Sequence, residues 1–197
     1  MPTPGALRAE DGVSLVELII AMGVVVAIAG ISTPLAATVV DQSRARQGAG
    51  FLAARIRAAK LDAVSRAASV ALVFDRVGPR WTFRVCADGN GNGIHRAELP
   101  GSDRCFEGPF DMETLFPGVQ IVVDSTIRGP DGEPGSSDAV RFGKSDLVSC
   151  SATGGCTSGS VFLRSSLGDQ YLVRVAGVTG RTRILRYDAR LRVWREI

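Results

Sequence analysis

Gly12-Val13-Ser14-Leu15-Val16-Glu17-Leu18 opens the stretch that decides the architecture of this 197-residue chain. From Val13 to Val40 the sequence is dominated by apolar residues, and its only charge is Glu17. As a helix, this run would be about 42 Å long at ~1.5 Å per residue. A bilayer hydrocarbon core is roughly 30 Å thick. The run therefore predicts a membrane-spanning helix over residues 13–40.

Glu17 is the unusual residue of this predicted span. A carboxylate costs at least a few kcal/mol in hydrocarbon, so an acid at this position predicts a functional site with a positively charged partner. Two alternatives remain open at this point. Glu17 could sit harmlessly at the interface of a single-pass anchor, or the run could be a signal peptide cleaved near Ala27-Ile28-Ala29.

Beyond the predicted span, the pattern indicates that the helix continues over residues 41–68. Apolar and small residues recur three or four positions apart, and arginines and a lysine occupy the other faces. The recurring residues are Leu52, Ile56, Ala59, Ala63 and Ala67. Pro34 removes one backbone donor and predicts a bend.

After about Ser69 the period of the apolar residues changes from helical to two, which predicts short strands. The predicted strands are Val70–Phe74, Trp81–Val85, Val119–Val123, Ala139–Phe142, Val161–Leu163 and Tyr171–Val175. Between them, residues 128–138 predict an exposed loop, the loosest of the chain, because they are rich in Gly, Pro, Asp and Ser. Residues 69–197 are therefore expected to form one β-rich globular head. The fold class is α+β, with a long N-terminal helix packed on a small antiparallel sheet domain.

The opening stretch resembles the leader junction of prepilins. The resemblance implies a leader peptide over residues 1–12, cleavage after Gly12 by prepilin peptidase and N-methylation of Val13. Pro34 follows Val13 by 21 positions, where pilins and pseudopilins carry a helix-bending proline. The new amine would be a cation about one helical turn from Glu17, and the amine of a neighbouring subunit could reach the same carboxylate. Glu17 would then fix the axial register of a filament.

The head resembles the GspH/FimT family of minor pseudopilins and minor type IV pilins. The likeness covers the helix 51–68, the strand pair around Gly78-Pro79, the loop 88–93 and Gly180-Arg181-Thr182-Arg183. It implies a type IV pilin-like fold with a β-sandwich-like head. It also implies a structural subunit of the type II secretion pseudopilus in the bacterial inner membrane, with its head in the periplasm. The implied partners are prepilin peptidase, the other subunits of the filament and the inner-membrane assembly platform.

The alternative function is a minor type IV pilin that binds DNA for uptake. Its signal is the tail, residues 180–197, where the basic excess of the chain lies. The candidate DNA-binding residues are Arg181, Arg183, Arg186, Arg190 and Arg192. Asp188-Ala189 predicts a hairpin in which Arg190 and Arg192 line one face with Trp194. The same charges could instead protect an edge strand or contact another subunit.

Four cysteines allow three disulfide pairings. We favour the local pairing, in which Cys150 and Cys156 enclose a Gly-rich loop and Cys86 and Cys105 close an Asp/Asn-rich loop. An exported head would have the oxidising surroundings that disulfides need. Zinc is the rival, but the chain has no Cys-x-x-Cys and a single histidine, His95.

The loop from Asp88 raises the question of a calcium ion. Asp88, Asn90 and Asn92, followed by Gly93, match the first oxygen ligands and the sharp turn of a calcium loop. The twelfth position, where a bidentate acid is needed, is Leu99, and Asn-Gly and Asp-Gly also form ordinary turns. No cofactor is otherwise expected.

An enzymatic function has little support in the sequence. One histidine gives no assembly of nucleophile, base and orienting acid, and neither a P-loop nor a dinucleotide fingerprint is present. We therefore expect a structural, non-enzymatic protein.

Overall fold

The computed structural model describes residues 13–99 and 101–197, including their side chains except those of residues 31–35. The predicted leader, with Gly12, lies outside the described residues. The chain divides into two compact units, of which the first ends at Val39 and the second covers Val40–Ile197.

A single helix, α1, covers Leu15–Arg66. In its first part, the described side chains before Val40 are exposed; among them are Val16, Ile20 and Val26. In the residues that the structure describes, no helix has a stretch both long and apolar enough to cross a membrane. The side chain of Pro34 is outside the described part, so the bend predicted there stays a prediction.

From residue 41 onward, α1 has the half-buried pattern that the sequence predicts. Leu52, Ile56 and Ala63 are fully buried, and Ala59 is nearly so. The helix ends at Arg66, two residues earlier than predicted. Ala67 adopts a left-handed conformation with φ 50°, and Ala68 N–H donates to the carbonyl of Ala63, which closes the last turn. Ala67 is therefore exposed and does not continue the buried stripe.

The head contains two antiparallel sheets. The first has the order β3-β2-β1-β5 and the second the order β4-β6-β7-β8-β9. The strands are β1 Val70–Val77, β2 Arg80–Ala87, β3 Arg104–Asp111, β4 Val140–Arg141, β5 Leu147–Cys150, β6 Gly159–Arg164, β7 Gln170–Ala176, β8 Arg181–Asp188 and β9 Val193–Glu196. Two short helical segments complete the head, a 3-10 turn at Arg96–Glu98 and α2 at Met112–Leu115.

Side chains from α1 and from both sheets form the larger of two buried hydrophobic clusters. Leu52 and Ile56 of α1 share it with Phe74 of β1, Phe83 of β2 and Leu172 of β7. The predicted α+β class, a helix packed on antiparallel sheets, is confirmed at this level.

The strand predicted at Val119–Val123 is wrong. Val119, Ile121 and Val123 are buried, as the alternating pattern requires, but only Gln120 forms a bridge, to Arg164. The period-two pattern thus identified the buried face correctly. A strand did not form because the segment lacks a continuous hydrogen-bonded partner.

The loop at residues 128–138 is exposed over most of its length but is not loose. Both guanidinium Nη atoms of Arg174 on β7 donate to the Asp131 carboxylate, at 2.9 and 2.5 Å. Trp194 Nε1 on β9 donates to the carbonyl of Arg128 at 2.8 Å. These contacts come from residues far along the chain, so local composition could not reveal them.

Candidate functional site

Glu17 lies in the first turn of α1 with its side chain exposed. The helix begins just after the predicted cleavage point, and Leu18 N–H donates to the carbonyl of Ser14 at 3.1 Å. An acid in the first turn is favourable because the free N–H groups of a helix start carry partial positive charge. Val13, the predicted methylation site, is 70% exposed.

The four cysteines form the two local disulfides that the sequence analysis favours. Cys86 on β2 is joined to Cys105 on β3, where the two residues are direct partners in the sheet. Cys150 at the end of β5 is joined to Cys156 across a bridge of the same two residues. Each disulfide thus joins residues that the sheets have already brought together.

In the calcium candidate, the loop from Asp88, the oxygen atoms of the Asp88 carboxylate are engaged in hydrogen bonds within the loop. The Asp88 carboxylate accepts hydrogen bonds from the backbone N–H groups of Asn90, Gly91 and Gly93, at 3.1, 2.7 and 2.7 Å. Burial raises the pKa of Asp88, but the backbone N–H groups together outweigh it and hold the pKa below its ordinary value.

The hydrogen bonds of the side-chain amides in the same loop also argue against a cation site. Asn90 Nδ2 and Asn92 Nδ2 donate to the Glu98 carboxylate at 2.7 and 2.9 Å. Across residues 13–99 and 101–197, no group of three or more His, Cys, Asp or Glu side chains could hold a metal ion. His95 is an exposed loop residue whose Nε2 lies 3.3 Å from the Asn92 carbonyl.

Arg96 fastens this disulfide-closed loop to the first sheet, a role that the sequence analysis missed. Its guanidinium donates to Asp75 Oδ1 at 2.8 Å and to the backbone carbonyls of Phe74 and Ser145. No local pattern marks such an arginine, because its acceptors lie 21 or more positions away.

The arginines predicted to bind DNA lie on β8 and in the turn that follows it. Arg181 and Arg183 are two residues apart and therefore project from the same face of β8. Their side chains are 62% and 47% exposed, and they lie 3.8 and 3.6 Å from the Glu196 carboxylate on β9. Two guanidinium groups thus share one carboxylate, which leaves a net charge of about +1 there.

Two other tail arginines are paired one to one. Arg186 Nη2 lies 3.0 Å from Asp169 Oδ1, and its guanidinium is 6.0 Å from the ring centre of Tyr171. Arg195 Nε lies 3.7 Å from Asp188 Oδ2. Asp188 belongs to the tail itself, so of these two pairs only the one with Asp169 lowers the net positive charge around the tail.

Arg190 and Arg192 lie in the turn between β8 and β9 rather than on a strand. The prediction that they line one face with Trp194 is wrong. Arg192 has φ 55°, and the half-buried indole of Trp194 packs on Phe162 and Tyr187, with ring centres at 5.7 and 5.3 Å. The aromatic ring serves the head's own packing.

An open cavity of about 550 Å³ lies beside this turn. Arg128 and Arg192, both exposed, line it together with Tyr187 and Asp124. Within the described part of the chain, neither arginine forms an ion pair. The cavity is open to solvent and could attract an anion.

A second group of contacts, also missed from the sequence, surrounds Asp41 at the start of the second unit. Asp41 is only 6% exposed, and its carboxylate accepts hydrogen bonds from Ser166 Oγ at 2.5 Å and from Leu167 N–H at 3.2 Å. Burial raises the pKa of Asp41, but hydrogen bonds from Ser165, Ser166 and Leu167 together outweigh it and lower the pKa.

Comparisons with protein-family models, with curated proteins and with solved structures found no match for this chain.

Proposed function

We propose that this protein is a minor pseudopilin of a bacterial type II secretion system. It would be a non-enzymatic subunit of the pseudopilus, anchored in the inner membrane with a periplasmic head of pilin-like fold. Prepilin peptidase would cut between Gly12 and Val13, and the new Val13 amine would be methylated.

The observation that carries this proposal is the exposed apolar surface that begins at Val13. Large apolar side chains from Val13 to Ile28 are 51–75% exposed, and Val39 and Val40 are 60% and 45% exposed. A contiguous apolar surface of this size needs a cover, which can be lipid or other protein. In a subunit that moves from a membrane into a filament, lipid would cover this surface first, and helices of neighbouring subunits would cover it afterwards.

Glu17 gives the proposed assembly its specificity. It is the only charge between Val13 and Val40. Inside a filament it would be far from water, where an unpaired carboxylate is costly and the amine of an adjacent subunit would offset that cost. Apolar contacts tolerate axial sliding, whereas the charge pair would form at one stagger only.

The head supports an exported location. Both disulfides lie in the head, and the described cysteines are all paired. Disulfides persist in oxidising compartments such as the bacterial periplasm. The second part of α1 is built into the head's core.

The experiment is incorporation of Glu17→Gln and Glu17→Ala variants into the pseudopilus of the native host. Both variants should still be cleaved, and both should be incorporated poorly, because neither side chain carries the negative charge that would form an ion pair with the amine. Asp62→Asn, which removes an acid from the second part of α1, is the matched control and should assemble normally. Mass spectrometry should show a mature chain beginning at methylated Val13. Normal incorporation of Glu17→Gln, or an uncut N-terminus, would refute the proposal.

The competing proposal is a minor type IV pilin that binds DNA. It is supported by the exposed side chains of Arg181 and Arg183 on one face of β8. Phosphate neutralisation makes such binding weaken steeply with salt. In detergent micelles, Arg181→Ala/Arg183→Ala should abolish salt-sensitive duplex binding, whereas Arg57→Ala, an exposed arginine of α1, should not. Absence of duplex binding by the wild-type chain would eliminate this alternative.

A further inference from the structure

The strand β9 is the last strand of the second sheet, and in the part of the chain that the structure describes no strand pairs with its outer side. Ile197 N–H donates to the carbonyl of Ile184 on β8 at 3.0 Å. Because residues of an antiparallel pair face their partner alternately, the backbone groups of Trp194 and Glu196 point away from β8. Their N–H and C=O groups therefore have no strand partner.

A basic cavity lies at the start of this free edge. It is the open cavity of about 550 Å³ that Arg128 and Arg192 line. Arg192 directly precedes β9, and Trp194 Nε1 donates to the Arg128 carbonyl at 2.8 Å, which holds the backbone of Arg128 beside β9. Both arginine side chains are exposed, and among the described residues neither forms an ion pair.

The backbone that carries the two arginines is fixed by local hydrogen bonds. In the turn before Arg192, Asp188 Oδ1 accepts from two backbone N–H groups, at 3.0 and 3.2 Å. In the turn before Arg128, Ile127 N–H donates to the carbonyl of Asp124 at 3.1 Å. A surface that is already ordered loses less conformational entropy when a partner binds.

The charges around the cavity favour a single carboxylate over a long polyanion. Two arginines and one aspartate, Asp124, line the cavity, which gives its lining a net charge of +1. The loop that continues from Arg128 carries the carboxylates of Asp131 and Glu133, which are 52% and 55% exposed. A phosphate chain that extended along this loop would meet like charges, whereas one carboxylate needs only the two arginines.

Apolar side chains are exposed beside the same arginines. Leu191 in the turn is 56% exposed, and Val193 at the start of β9 is 44% exposed. Tyr187 and Ile127 contribute half-buried side chains to the cavity lining. A partner for this surface therefore needs apolar residues next to its negative charge.

We propose that the free edge of β9 binds an extended segment of another protein, in which a carboxylate side chain is flanked by apolar residues. The segment would add a strand to the second sheet through the backbone of Trp194 and Glu196. Its carboxylate would lie between Arg128 and Arg192 and would fix the register of the added strand. Every residue of this surface belongs to the second unit, so the surface is independent of the membrane anchor.

The test uses the full chain in detergent micelles and a short fluorescent peptide of valine and threonine with one central glutamate. Fluorescence polarisation measures the affinity. A peptide with glutamine in place of the glutamate should bind about tenfold more weakly, because two exposed charge pairs are lost. Equal affinity of the two peptides, or no binding of the glutamate peptide, would overturn the proposal.

Substitution of the arginines tests the same contact from the protein side. Arg128→Gln/Arg192→Gln should weaken binding of the glutamate peptide to the level of the glutamine peptide. Arg44→Gln/Arg57→Gln is the matched control and should bind like the wild type, since both arginines are exposed on α1. Equal weakening by the two double variants would mean attraction to the overall charge of the protein and would refute the site.

Hydrogen exchange tests the strand pairing. With the glutamate peptide bound, the N–H groups of Trp194 and Glu196 should exchange more slowly, and those of β5, at the edge of the first sheet, should be unchanged. A peptide methylated on alternate backbone nitrogens should bind more weakly because it cannot donate to the carbonyls of β9. Unchanged exchange at β9, or full affinity of the methylated peptide, would refute the added strand.

A DNA duplex is the other anionic partner to test at this surface. A duplex should not displace the glutamate peptide at an ionic strength near 0.15 M, where phosphate contacts are weakened. Displacement that is lost in Arg128→Gln/Arg192→Gln would assign the cavity to nucleic acid and overturn the peptide proposal.

Discussion

The two parts of α1 have similar lengths but opposite surroundings. Before Val40, the described side chains of the helix are exposed although most are large and apolar. From Asp41 to Arg66 the buried side chains are mostly small, and alanines such as Ala45, Ala49 and Ala53 lie fully inside the head. Small residues let the helix lie close to the sheets, whereas large apolar residues without a cover need another surface to bury them. The second part of α1 therefore stabilises the head, and the first part is the one to which the proposed function gives assembly.

The sharpest test of this comparison is a pair of leucines on the same helix. Leu52 is fully buried, and Leu52→Ala should lower the free energy of unfolding of the head by about 2–5 kcal/mol through lost burial and the cavity left behind. Leu18 is 51% exposed, and Leu18→Ala should leave that free energy within about 0.5 kcal/mol of the wild type. Urea unfolding in detergent micelles, followed by tryptophan fluorescence, measures both. Equal losses would break the comparison.

Removal of either disulfide should lower the stability of the second unit alone. Cys86→Ala/Cys105→Ala opens a loop with a sequence separation of 19 and should destabilise the head by roughly 3 kcal/mol. Cys150→Ala/Cys156→Ala, with a separation of 6, should cost roughly 2 kcal/mol. Thermal unfolding ranks the two variants, with the helicity of residues 13–40 as the internal control. A larger loss from the shorter loop would contradict this ranking.

Two arginines of the second part of α1 provide a finer test. The Arg55 guanidinium is paired with Glu107 on β3 and lies 4.7 Å from the ring centre of Phe110. Arg55→Ala should therefore cost about 1 kcal/mol of stability, mostly through the ring contact and the pair. Arg57 is exposed, and Arg57→Ala should have no measurable effect. Chemical unfolding measures the free energy of unfolding of both variants, and an unchanged slope with denaturant concentration makes the two values comparable. Equal values for Arg55→Ala and Arg57→Ala would show that Arg55 does not fasten the helix to the sheet.

The smallest expected effect lies at Asp41, where the second part begins. Its lowered pKa means that the folded state releases this proton more readily than the unfolded state, whose pKa is near 3.8. The contribution is fully present above that value and is lost as the pH falls below it. Asp41→Asn should cost about 1 kcal/mol at pH 7 and flatten the loss of stability below about pH 4. Unfolding measured from pH 7 to pH 3 checks both; an unchanged pH profile would contradict the assignment.

Local pattern was enough to predict several parts of the molecule. The buried stripe at Leu52, Ile56 and Ala63 follows from helical spacing, and the strands β1, β2, β6 and β7 follow from alternation and β-branched residues. The local pattern did not predict β3 or β5. β3 contains Gly108-Pro109, which breaks the alternation, and β5 has only four residues.

The sequence by itself determined that this chain has an apolar segment with a single acid, followed by a helix that can pack on an antiparallel head. Both are properties of residues close together in the chain. Only the tertiary structure decided how the tail arginines pair with Asp169, Asp188 and Glu196, and that Asp41 holds a turn 125 positions away. Such pairs depend on which strands become neighbours, and that choice is made by the packing of the whole core rather than by any local preference.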